Sequence, residues 1–63
     1  MENGDTWEGT SEDGFKAAAA DAVEKYERDR GIPEEPVRLK IIEMYVTVHN
    51  PIHDYRVILG PGS

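Results

Sequence analysis

The chain has 63 residues, 13 acidic against 7 basic side chains, a formal net charge of −6 and no cysteine. Its length makes one domain, which as a monomer would bury only about 60% of the surface its unfolded chain exposes, and no disulfide or thiolate metal site can reinforce so small a core. The acidic excess argues against nucleic acid as a partner, and the lack of a long apolar run argues against a membrane span or an export signal.

Oligomerisation is the remaining way to complete the core, and the cytoplasm is the expected compartment. The whole of 1–63 reads as a single domain, with residues 1–6 as a mobile arm and 60–63 as a flexible tail.

Trp7 is the first large apolar side chain, and it predicts a short strand over Asp5 to Gly9 held mainly by its indole. A helix follows. Phe15, Ala18, Ala19, Ala22, Val23 and Tyr26 form a stripe on a 3.6-residue period. Ser11 or Thr10 is the expected N-cap, with Glu12 and Asp13 beside the positive end of the dipole. Arg28, Arg30 and then Gly31 mark the C-terminus. Asp21–Lys25 and Glu24–Arg28 are i,i+4 pairs worth about 0.3–0.5 kcal/mol each. The three alanines of the stripe predict close approach to a sheet, although alanine is also simply the best helix former.

Pro33 and Pro36 then force an extended linker. Val37 to Val48 reads as a long strand whose alternation changes phase at Ile41-Ile42. Either a β-bulge lies there or both faces are buried. A turn around Asn50-Pro51-Ile52-His53 would set Val48 opposite Tyr55, Val46 opposite Val57 and Met44 opposite Leu59, giving one continuous apolar face. The other face would carry Glu43, Tyr45, Thr47, Arg56 and Ile58, and Val37 to Ile42 would run past the end of the third strand. The fold class is therefore α+β, a β-α-β-β protomer with a three-stranded antiparallel sheet in order 1-3-2, partly wrapped around one helix. A half-apolar second face and unpaired edges again point to neighbouring copies.

Gly9-Thr10-Ser11-Glu12-Asp13-Gly14-Phe15, the alanine-rich helix after it, the short linker, the long second strand and Asp54-Tyr55-Arg56-Val57 together resemble the dodecins. These are small flavin-binding proteins that assemble as hollow dodecamers. The resemblance runs from about Trp7 to Leu59. It implies a homododecamer with flavin (FMN, riboflavin or FAD) held between subunits and no catalysis. In the family a tryptophan at the start of strand 2 stacks on the isoalloxazine and a glutamine in strand 3 bonds to it. The corresponding positions here are Pro36 and Arg56. The expected function is a non-catalytic, dodecin-like oligomer with flavin or another small aromatic ligand between subunits. The alternative is a structural or interaction assembly of the same fold without flavin.

Arg56 and Tyr45 share the second sheet face, where a guanidinium beside a phenol can hold an anion or a planar ring. With Pro36 they are the candidate ligand-binding residues. The competing reading, which is favoured, gives Arg56 to an inter-subunit salt bridge, with Glu43 as one partner. His49, His53 and Asp54 could ligate zinc, but they fit better as polar residues of an exposed turn, and no metal site is assigned. Glu27, Asp29, Glu34 and Glu35 read as solvated surface. Ser11 and Thr10 read as caps, not nucleophiles, since no base lies near them in sequence.

Overall fold

A computed structural model describes residues 6–49 and 51–62 of the chain. Strand β1 spans Trp7–Ser11, helix α1 Phe15–Arg30, strand β2 Leu39–His49 and strand β3 Ile52–Pro61. Both strand pairings are antiparallel and the sheet order is β1-β3-β2. The expected α+β class, β-α-β-β topology and strand order are all present. They follow from the helix reversing the chain between the first two strands and a tight turn reversing it again before the third.

Strand β1 starts at Trp7 and not at Asp5, which lies outside the described residues with most of the expected arm. Trp7 pairs with Leu59 and Gly9 with Val57, so the indole anchors the first position of the strand instead of its middle. On the helix, Ala18 and Ala22 are fully buried, and Phe15 and Ala19 pack beside them against Val57 and Leu59. The cap differs from expectation. Gly14 occupies the N-cap position without a side-chain bond, while the Ser11 hydroxyl accepts the Asp13 N–H at 2.9 Å in the preceding loop. Ser11 is still in the strand, too early to reach the helix. At the other end Gly31, with φ of 87°, donates to the Glu27 carbonyl at 2.7 Å and closes the helix as expected.

The phase slip in β2 is a bulge. Ile41 pairs with Leu59 and Glu43 with Ile58, leaving Ile42 as the extra residue. The hairpin register differs from the expected one by two residues: Val48 opposes His53, Val46 opposes Tyr55 and Met44 opposes Val57. A shift of two keeps every side chain on its face, so the apolar alternation is equally satisfied and the shorter turn between His49 and Ile52 wins. The expected overhang of strand 2 vanishes as a result. Leu39 and Lys40 pair with Pro61 and Gly60, so the first two residues of the expected tail belong to β3 instead. Pro61 is tolerated because the described pairing of β1 with β3 starts at Trp7 opposite Leu59, so among the described residues no ladder bond on the β1 side needs its missing N–H.

Helix α1 packs on β1 and β3 and makes little contact with β2. The buried hydrophobics among the described residues are therefore Trp7, Ala18, Ala22, Val57 and Leu59. Along β2 the residues facing the helix side remain open: Ile41, Met44 and Val46 are 45–48% exposed and Val48 66%. The accessible surface is 4777 Å², against about 4,100 Å² for a compact monomer of this mass. The radius of gyration is 12.5 Å, against about 11 Å for a compact domain of this length.

Candidate functional site

The sheet has two unlike faces, and the candidate residues fall on the one turned away from the helix. Cross-strand rows there run Thr10–Arg56–Tyr45 and Glu8–Ile58–Glu43, with Thr47 opposite Asp54 toward the turn. Tyr45 and Arg56 are thus direct neighbours, as the shared-face reading anticipates. The Arg56 Nε donates to Glu8 Oε2 at 2.8 Å, a salt bridge within the chain between β3 and β1. Glu43, the partner suggested by sequence, instead accepts a hydrogen bond from the Tyr45 hydroxyl. That bond, made by the protonated phenol to a carboxylate, holds the Tyr45 pKa above its ordinary value.

A depression of about 320 Å³ beside this row is lined by Thr10, Thr47, Asp54, Tyr55 and Arg56. Glu8, Glu43 and Asp54 share this face with Arg56, and Lys40 lies at its far end, so the stretch around Arg56 carries more acid than base and disfavours anions. Pro36 does not join them. It sits in the linker before β2, whereas Tyr45 lies about 20 Å along the strand from Leu39, six residues at ~3.3 Å each. Within one chain the three candidate residues do not form a single site.

The two histidines are also separated. His49 is on the face away from the helix, with Nε2 3.2 Å from Asp54 Oδ2, while His53 faces the helix side, edge-on to Tyr55 at 6.5 Å. Among the described residues no three His, Cys, Asp or Glu side chains gather to hold a metal ion.

The helix side carries two features that sequence reading left unremarked. A groove of about 380 Å³ opens between α1, the linker and β2, lined by Val23, Tyr26, Pro33, Val37, Leu39 and Ile41 among others. Apolar residues on both sides of the linker prolines were the available signal. Next to it, Trp7 is clamped. Its Nε1–H donates to Asp29 Oδ2 at 3.2 Å, Tyr26 meets it edge-on at 4.8 Å, and the Arg30 guanidinium lies 5.3 Å from the ring centroid. Asp29, read as solvated surface, thus has a defined structural partner.

The chain matches no family model, no curated protein and no solved structure. Among the described residues, no helix is long and apolar enough to cross a membrane. The two positions that the dodecin resemblance assigns to flavin contacts do not fit a stacked isoalloxazine. Pro36 offers no aromatic face, and the Arg56 guanidinium is engaged with the Glu8 carboxylate.

Proposed function

We propose that this chain is a non-catalytic, self-assembling module, built on the dodecin plan, whose copies complete one another's sheets. One observation carries the reading: the row Ile41, Met44, Val46 and Val48 lies on the core-facing side of the sheet, yet each residue is close to half exposed or more. Side chains of this size each gain about 1.5–3 kcal/mol on full burial, so leaving the row in water is costly for a monomer. A homododecamer is the form the dodecin resemblance suggests.

A second reading adds a small planar ligand held between subunits, and the Tyr45–Arg56 pair beside its polar depression supports it. The carboxylates around Arg56 favour a neutral aromatic such as riboflavin over the phosphate-bearing FMN or FAD. Size-exclusion chromatography with light scattering, read with an absorbance spectrum of the same peak, tests both. A multiple of 7.1 kDa without visible absorbance is the expected result for assembly alone. Flavin absorbance, with riboflavin fluorescence quenched on addition of protein, is expected for the second reading. A monomer at micromolar concentration overturns the assembly reading.

A further inference from the structure

The two edges of the sheet are treated differently. At the outer edge of β1, the Thr10 N–H donates to Asp21 Oδ2 at 3.0 Å, and the Glu8 carbonyl accepts from Lys25 Nζ at 3.0 Å. Helix side chains therefore occupy the backbone groups that a further strand would need. At the outer edge of β2, among the described residues, no side chain does this. Nor does the regular part of β2, 43–49, contain a proline or lysine, the residues that commonly blunt an exposed edge.

The alternation of an antiparallel ladder says which groups are open. Thr10 turns its N–H outward, so Arg56 opposite it turns its own N–H and carbonyl toward β2, where Tyr45 receives them. Met44, Val46 and Val48 then turn their N–H and carbonyl groups outward, and these are the residues whose side chains form the exposed apolar row. Backbone and side chains of β2 are unsatisfied together.

We infer that the free edge of β2 is the pairing strand of the assembly, joining antiparallel to β2 of a second copy about a two-fold axis at Val46. The inference rests on the self-assembly reading and adds its partner strand and register. Centring on Val46 uses the whole regular stretch after the bulge. Val46 meets its own equivalent, Met44 meets Val48, and Tyr45 meets Thr47. Glu43 meets His49, an acid opposite a base, whereas centring on Glu43 would oppose two like charges. The apolar rows then run unbroken through both copies, from Tyr55 and Val46 of one into Val46 and Tyr55 of the other. Because β1 is capped by Asp21 and Lys25, each copy offers one edge only. The contact is therefore isologous and closes as a pair instead of growing into a fibre.

The absence of native cysteine makes the register directly measurable. At this axis the two Val46 Cα atoms lie about 5.5 Å apart, as in any hydrogen-bonded antiparallel pair, and within disulfide range of about 4.4–6.8 Å. Under mild oxidation of the full chain, Val46→Cys is expected to give predominantly covalent dimer. Met44→Cys or Val48→Cys alone places equivalent thiols about 14 Å apart, four residues at ~3.4 Å each, and is expected to stay largely uncoupled. A mixture of the Met44→Cys and Val48→Cys chains is expected to couple. Assembled protein in which Val46→Cys couples no better than either control, and the mixture no better than its parts, overturns the β2 pairing but not self-assembly. Protein that is monomeric by light scattering overturns both.

Discussion

Gly9 in β1 meets the backbone of Ala18 in α1 so closely that a Cβ on the glycine would overlap the Ala18 carbonyl oxygen, with the Ala22 Cα only 2.9 Å away. Strand and helix touch main chain to main chain, and the buried alanines on one side match the missing side chain on the other. Gly9→Ala is therefore expected to push the helix off the sheet and cost roughly 2–4 kcal/mol, a large share of a small domain's stability. Gly31→Ala faces open space and strains only its own backbone, whose φ of 87° and ψ of 167° suit glycine alone, at about 1–3 kcal/mol and toward the lower end because a helix terminus can relax. Denaturant midpoints of the two variants check the order. Equal losses would mean the helix does not depend on that contact.

Trp7 is the sole tryptophan, 8% exposed, and its indole N–H is bonded to Asp29. Asp29→Ala removes the protein partner of that donor. The expected cost is about 1 kcal/mol, the low end for a stranded donor, because the 61%-exposed Asp29 side chain marks a site that water can reach. Tryptophan emission should shift as the ring loses its polar anchor, and the unfolding midpoint should fall with it. An unchanged emission maximum and midpoint would count against a structural role for the bond.

Much of this arrangement is legible in the sequence, and the misses share a cause. The helix stripe, its Gly31 stop and the Ile41-Ile42 bulge are local signals, each carried by residues adjacent in the chain. The expected hairpin register differs by two residues because alternation has a period of two, so a shift of two leaves Met44, Val46 and Val48 on the same face. Only the turn length distinguishes the alternatives. The partner of Arg56 is hidden from the sequence for a related reason. Glu8 reaches it only through the β1–β3 register, and the short polar sequence of β1 has Trp7 alone to declare that register. Glu43 was the nearer acid in sequence, but it is taken by Tyr45, two residues away on the same strand.

Asp21 links helix and strand electrostatically. The Thr10 N–H holds its pKa below the ordinary 3.8, with Lys25 adding to the effect. A lowered folded-state pKa means the native chain binds fewer protons than the unfolded one. The contribution is thus fully present above about pH 3.8 and lost as pH falls through the lower folded value. Asp21→Asn is expected to be less stable than the parent near neutral pH, and the gap should narrow as the medium is acidified through that window. Denaturant midpoints at a series of pH values measure it. A gap that stays constant with pH would show that the carboxylate charge does not matter to the bond.

Self-association must also contend with charge, since every copy brings a formal −6 to a shared surface. The proposed contact itself is mainly uncharged: backbone groups, Met44, Val46, Val48, Tyr45 and Thr47, with Glu43 facing His49 at its ends. Long-range repulsion between acidic chains should therefore outweigh the two symmetry-related Glu43–His49 pairings. Raising salt shortens the screening distance from about 10 Å at 0.1 M to about 3 Å at 1 M, which weakens the repulsion while leaving apolar burial intact. Assembly is expected to tighten with sodium chloride, seen as a lower dissociation concentration in sedimentation velocity. Loosening with salt would instead place ion pairs, such as those open to Arg56 and the second face, at the centre of the contact.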